Sequence, residues 1–262
     1  MPKLAVILLL LPLLAQAAQP IRLATGEWPP YAGATLPHGG LAEHIITSAF
    51  AASGQSVSYL RLSWKRGLEM ARQGKADGAI LWSCRDEASQ PDYLVSQPVI
   101  RSEVVLLRRV GRVLDLKHPD KARGFRLAYP DMYAYEGIPA YARLLKASGI
   151  PPLILSSDQA GIHALLNDRI DAYPVDRQVG LYLLHQAAPT VWQDMVTQLA
   201  QPLSQHDLCV LLYRRHPKAS NWLAALNQGL ARLRSSGQID RWQAELATPR
   251  KTAPPGHTST GQ

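Results

Sequence analysis

The sequence predicts an α/β fold built as two halves. Stretches with strand character and stretches with helical spacing alternate along most of the chain. A second such set opens near residue 112. Two apolar segments of similar composition join the sets: Val104-Val105-Leu106-Leu107-Arg108-Arg109 leads out, and Leu208-Cys209-Val210-Leu211-Leu212-Tyr213-Arg214-Arg215 leads back.

In the first half, residues 21–25 read as a strand that must end at Pro29 and Pro30. Proline fixes φ near about −65° and has no N–H for a sheet ladder. Trp28 and Tyr31 are therefore presented at a strand terminus, where an open α/β sheet places its ligand crevice. After Gly39-Gly40, the apolar residues Leu41, Ile45, Ala49 and Ala52 recur at helical spacing until Gly54. Residues 56–60 alternate like a strand, residues 65–73 form a short helix stopped by Gly74, and residues 76–81 read as a buried strand interrupted by Asp77.

In the second half, strands are expected at residues 125–129, 153–155 and 170–173, with helices at residues 138–147 and 176–187. A further helix, carrying Ile162, Leu165 and Leu166, has Ser157 as its cap. The last long helix opens with Pro217 in its first turn, a favoured place for proline. Its face of Trp222, Leu223, Leu226, Leu230 and Leu233 is expected to pack back onto the first half. Residues 249–262, rich in Pro, Thr, Gly and Ser, have the composition of a disordered tail.

Composition narrows the function. Lys3, the apolar run at residues 4–14 and Ala15-Gln16-Ala17 form the pattern of a cleaved export signal over residues 1–17, which predicts a periplasmic protein. The apolar run is about half the ~20 residues a spanning helix needs. The net charge of +8 is spread along the chain, without the clustered basic face of a nucleic-acid binder. Only Cys84 and Cys209 are present; an exported protein can bridge them, but spacing leaves that open. The eight histidines show no i, i+4 pair, so neither a metal nor any other cofactor is expected.

Four blocks carry a resemblance to a known family. They are Trp28-Pro29-Pro30-Tyr31; Trp64-Lys65-Arg66-Gly67-Leu68 with Gly74-Lys75-Ala76-Asp77-Gly78-Ala79-Ile80; Asn167-Asp168-Arg169-Ile170-Asp171-Ala172-Tyr173-Pro174-Val175-Asp176; and the closing run at residues 226–242. In this order and spacing the chain resembles the extracytoplasmic solute-binding proteins of polar amino-acid ABC importers, bacterial solute-binding protein family 3. The resemblance implies a type II periplasmic binding fold, two α/β lobes joined by a two-strand hinge that closes on a ligand. The implied division is lobe 1 over residues 18–108 and 207–248, with lobe 2 over residues 109–206.

The resemblance also implies a site. Trp28, Tyr31, Trp64 and Trp82 are its candidate aromatics, and Asp176 matches the position that receives a ligand ammonium group, although its plain alternative is helix capping. The family's carboxylate-binding arginine is expected at Ser89 and is missing; Arg85, four residues earlier, is either its substitute or a loop arginine. In the second lobe, Met132 and Ala134 stand where Gly and a hydroxyl residue are expected, which leaves Tyr133 to offer its ring or hydroxyl, or only to pack. Glu27 is balanced between a cleft acid and a surface carboxylate.

The expected function is capture of a small polar solute, an amino acid or a related amine or peptide, by a monomer that delivers it to an inner-membrane ABC permease or shows it to a sensor. Two alternatives stand beside it. One is a dehydratase-like enzyme on the same fold using Glu27, Asp131 or Asp176; the other is a degenerate module whose cleft is filled by its own side chains.

Overall fold

The computed structural model describes residues 19–84, 91–131, 133 and 135–247. The leader, Arg85, Ser89, Met132, Ala134 and the tail at 249–262 lie outside the described residues. The first elements are β1 (Ile21–Thr25), α1 (Leu41–Ala51), β2 (Val57–Arg61), α2 (Trp64–Arg72), β3 (Gly78–Ser83), β4 (Tyr93–Val95) and β5 (Ile100–Arg109). Next come β6 (Ala128–Pro130), α3 (Pro139–Ser148), β7 (Leu153–Leu155), α4 (Asp158–Leu166), β8 (Ala172–Asp176), α5 (Arg177–Ala187), α6 (Trp192–Met195) and β9 (Val196–Gln198). The chain returns through β10 (Ser204–Tyr213), α7 (Ala219–Ser235) and α8 (Gln238–Ala247).

The hydrogen-bonded strand path is β2-β1-β3-β10-β5-β8, with β4 also on β10 and β9 also on β5. Two long strands make that path continuous. Residues 100–104 of β5 pair antiparallel with residues 204–208 of β10. Further along, β10 pairs with β3 and β4 while β5 pairs with β8 and β9. The parallel pair β6–β7 joins the second set through a bridge between Leu127 and Ala172. The polypeptide therefore crosses between two α/β lobes twice, on adjacent strands. This is the two-strand hinge.

Within each lobe, parallel strands need helical crossovers, and those helices bury the sheet faces. In lobe 1, α1 packs against α7, where Gly229 lets the two helices touch: a Cβ there would sit 2.1 Å from the Ala49 carbonyl oxygen. Trp222, Leu226 and Leu230 of α7 are buried in the same core, as the sequence predicts.

The two lobes repeat one electrostatic latch. In lobe 1, the Arg22 backbone N–H and guanidinium donate to Asp77 at 2.8 and 2.9 Å. In lobe 2, the Arg126 backbone N–H and guanidinium donate to Asp171 at 2.7 and 2.8 Å. Both aspartates are buried, and each precedes a strand. This corrects the strand starts expected at residues 76 and 170: the ladders begin at Gly78 and Ala172, because the preceding residues are committed to the latch. The strand expected at residues 125–129 likewise starts only at Ala128.

Pro217 is also corrected. It precedes Lys218, the N-cap of α7, and so lies outside the helix; the helical ladder opens with Trp222 N–H donating to the Lys218 carbonyl. The cysteine question is resolved by the fold. β3 and β10 are antiparallel neighbours with Trp82 opposite Cys209, which brings Cys84 and Cys209 to a Cα separation of 5.2 Å and a disulfide bond.

Candidate functional site

The turn after β1 is set against the start of α1. Leu41 and Ala42 donate their backbone N–H groups to the carbonyls of Pro30 and Tyr31 at 3.1 and 2.9 Å. Those donors belong to the first turn of a helix and have no partner inside it. Gly40 makes the approach feasible: its φ is +97°, and a Cβ there would lie 2.6 Å from the Tyr31 carbonyl oxygen. The Pro29–Pro30 peptide bond in this turn is cis. The result is a rigid platform holding Trp28 and Tyr31, with ring centroids 4.9 Å apart.

Lobe 2 meets that platform directly. Tyr31 donates its hydroxyl to Asp176 at 3.1 Å, and Trp28 stands 6.3 Å from the Tyr133 ring, which in turn lies 5.2 Å from Tyr135. The lobes are closed on one another along this seam.

Asp176 is 1% exposed at the junction of β8 and α5. It caps α5, accepting from the backbone N–H groups of Gln178 and Val179 at 2.9 and 3.2 Å. It also accepts from Ser102 of hinge strand β5 at 2.7 Å. Burial pushes its pKa up, and these donors together with Tyr31 work against that rise. Asp176 thus performs the capping role and bonds to lobe 1 through Tyr31 at the same time.

A second acid, which the sequence reading did not single out, shares the seam. Asp158 is 7% exposed in the first turn of α4, directly after its N-cap Ser157. Tyr173 donates to it at 3.1 Å. The approach is tight, because α4 carries Gly161 against the Tyr173 ring, where a Cβ would lie 2.2 Å away. Burial foremost, with the Asp176 charge adding, pushes the Asp158 carboxyl up to about 6 although Tyr173, Trp28 and Tyr133 favour its ionised form. The Trp28 indole N–H favours the Asp158 charge without making a hydrogen bond of ordinary geometry to it.

The remaining sequence candidates separate. Trp64 heads α2 with its ring over Gly26, 2.6 Å from where a Cβ would be, so it backs the platform. Trp82 packs against a separate apolar cluster of lobe 1 that includes Ala24, Ala79, Tyr93 and Leu211. Glu27 is a surface carboxylate, its side chain 57% exposed and paired with Arg61 at 3.3 Å. Asp158, Ser102, Tyr135 and Tyr173 are additions; only the Ser157-Asp158 capping pattern gave a sequence signal for any of them.

Among the concavities of the described surface, one of about 200 Å³ lies between Tyr31, Glu103, Arg177 and Gln243, and another, of about 230 Å³, is beside Leu181, Trp192 and Gln198. Neither is lined by Trp28, Tyr133 or Asp158.

No family model matches the chain, and no curated protein matches it. Solved structures do. The GluR0 ligand-binding core from Nostoc punctiforme in complex with L-glutamate is 19% identical, covering 88% of this chain and 100% of that one, with a TM-score of 0.64. The arginine-, lysine-, histidine-binding protein ArtJ from Geobacillus stearothermophilus is 15% identical, covering 89% and 97%, with a TM-score of 0.63. A histidine kinase sensor domain with similarity to periplasmic binding proteins is 16% identical, covering 88% and 96%, with a TM-score of 0.66. The fold is that of the type II periplasmic binding proteins, two lobes on a two-strand hinge.

Proposed function

We propose that the chain captures a small polar solute between its lobes and releases it unchanged, as a periplasmic solute-binding protein serving an ABC importer. The observation that carries this reading is the seam itself: an aromatic platform fixed to lobe 1 meets Tyr133 and Asp176 of lobe 2 beside the double-strand hinge. Hinge closure around a ligand uses such a seam, and sites of this kind combine rings with a few placed polar groups. The division into residues 18–108 and 207–248 for lobe 1 and 109–206 for lobe 2 goes with it. A periplasmic address is supported by the leader pattern and by the Cys84–Cys209 disulfide, since such bonds persist in oxidising compartments. The solutes named for the glutamate- and arginine-binding neighbours favour an amino acid or a close relative.

The test is a thermal-shift screen over amino acids, amines and short peptides, paired with solution scattering. A ligand at a hundredfold excess over Kd stabilises by about 2.7 kcal/mol. Stabilisation with compaction is the expected result.

One observation favours a second reading. Asp176 already accepts four hydrogen bonds from the protein, so the seam is held shut by internal contacts. A sensor or interaction module would need only that closed shape, and one of the matched structures is a sensor domain. Silence across the whole screen selects it. An enzymatic role has Asp158 in its favour, with a pKa of about 6, but the acid is engaged by Tyr173; formation of product from an added solute would be required to sustain it.

A further inference from the structure

The fold gathers charge that looks scattered in the sequence. Between Arg108 and Arg126 the chain carries seven Lys or Arg against Asp115 and Asp120. This stretch leaves the end of β5, and its two ends meet again. Arg112 lies over the Phe125 ring at 5.7 Å, and Arg112 and Arg126 pair with one oxygen of Asp171 at 3.1 and 2.8 Å. Between those ends Leu114 and Ala122 are buried in the core of lobe 2, which pins the intervening chain from below. Lys117, Lys121 and Arg123 are left exposed around it. Asp168 and Asp171 neutralise part of the charge, at Arg109, Arg112 and Arg126, while Lys121 reaches Asp115 only at 3.8 Å. Seven cations still face four carboxylates.

Apolar side chains stand in the same place. Among the described residues the large hydrophobics most open to solvent are Val110, Val113, Ile150, Leu153, Ile154 and Val191. Val110 and Val113, 52% and 68% exposed, belong to the basic stretch itself. Backbone hydrogen bonds tie the others to its ends. The Val110 N–H donates to the carbonyl of Met195, in the short helix that follows Val191. The Gly124 N–H donates to Ser148, two residues before Ile150, and the Leu153 N–H donates to Leu127. Exposed apolar groups gathered in this way mark contact surfaces, and here they are ringed by cations.

We infer that this end of lobe 2 rests on an anionic lipid surface, with Val110 and Val113 entering among the headgroups and Lys117, Lys121 and Arg123 pairing with lipid phosphates. Such binding combines buried apolar area with attraction to anionic headgroups, and the stretch supplies both. An acidic protein would answer the cations alone. The valines set among them call for a partner that is anionic outside and apolar beneath. The surface uses no residue of the seam, and it stands whether or not the seam takes a solute.

The experiment is co-sedimentation with vesicles, using the chain from residue 18 onward, which keeps every described element and omits the apolar run at residues 4–14. Vesicles of phosphatidylcholine mixed with phosphatidylglycerol are compared with phosphatidylcholine alone. Binding is expected to the anionic vesicles only, and to weaken as salt shortens the screening length from about 10 Å at 0.1 M to about 3 Å at 1 M. Lys117→Gln, Lys121→Gln and Arg123→Gln together should weaken it about a hundredfold, since each basic residue at a charged bilayer gives about fivefold. Val110→Ser with Val113→Ser should weaken it about tenfold through lost apolar burial. All five residues are exposed, so circular dichroism should show an unchanged fold in both variants. Equal binding to the two kinds of vesicle, no binding to the anionic ones, or parental affinity in either variant would overturn the inference. So would poly-glutamate binding as tightly as the anionic vesicles, which would assign the surface to an acidic protein.

Discussion

Tyr31 of lobe 1 donates its hydroxyl to Asp176 of lobe 2 across 3.1 Å, in a seam where both side chains are almost fully buried. The same Asp176 oxygen caps α5 through Gln178 and Val179, and the other oxygen accepts from Ser102 on the hinge strand. One carboxylate therefore ties together the aromatic turn of lobe 1, the hinge and a helix of lobe 2.

Removing the hydroxyl tests that tie. Tyr31→Phe keeps the ring against Trp28 but deletes a hydrogen bond to a charged group, worth about 1.5–3 kcal/mol. The closed form should lose that much, giving a lower Tm and a larger radius of gyration without ligand. An unaltered scattering curve and Tm would mean that Tyr31 does not hold the lobes shut.

Asp158 gives stability a pH slope of known sign. Its carboxyl is raised from the ordinary value of 3.8 to about 6 in the folded chain. Below pH ~3 the group is protonated whether folded or not and contributes nothing. As pH rises towards 6 the unfolded chain loses this proton first, so folding stability falls, and above about 6 the penalty is complete. Two pKa units correspond to about 3 kcal/mol. The groups facing Asp158 include Tyr133, Tyr135, Tyr173 and Asp176; burial raises the tyrosines out of this range, and Asp176 is raised with the same sign. Urea titrations from pH 4 to 7.5 should show a shallower decline for Asp158→Asn than for the parent, and parallel curves would exclude Asp158 as the source.

The disulfide is expected to contribute strongly because it closes a long loop. Cys84 and Cys209 are 125 residues apart, and chain-entropy arguments give about 5 kcal/mol for such a loop, an upper figure. The double substitution to Ala should lower Tm by many degrees, and a reductant should lower the parent Tm towards the same value. Insensitivity of the parent to reductant under denaturing conditions would show the bond to be absent.

Asp171→Ala should destabilise lobe 2 by about 1–3 kcal/mol, since it leaves the Arg126 backbone N–H without an acceptor, while the half-exposed guanidinium keeps Asp168. Asp77→Ala should act on lobe 1 through Arg22 in the same sense. Ligand affinity measured at low temperature, where both variants are folded, should remain that of the parent. A selective loss of affinity would move these aspartates from scaffold to site.

How much of this was legible beforehand follows from range. Local signals read correctly: Ser157 caps α4 through the Ala160 N–H at 3.1 Å, Gly149 ends α3 at φ +70°, and the apolar stripe of α7 is the buried one. Asp176 was legible as a cap, because a strand-to-helix junction leaves backbone N–H groups that a side-chain carboxylate can accept from. The surroundings of Trp82 were not legible, because alternation along β3 places it on a sheet face, and what that face meets depends on the packing of other elements rather than on the strand. Asp158 went unseen because a first-turn acid after a capping serine is commonplace; its character comes from Tyr173, Trp28 and Tyr133, residues brought to it by folding.

By itself, the sequence determined the alternation of strands and helices, the two apolar crossings and the prolines that end β1 beside Trp28 and Tyr31, since each follows from side-chain period or from backbone restriction within a few residues. Only the tertiary structure decided that Cys84 meets Cys209, that Asp77 and Asp171 are latches, and that two acids share one aromatic seam. Those outcomes depend on distance and burial between segments as many as 145 residues apart, as for Tyr31 and Asp176, and burial is what turns an ordinary carboxylate into a perturbed one.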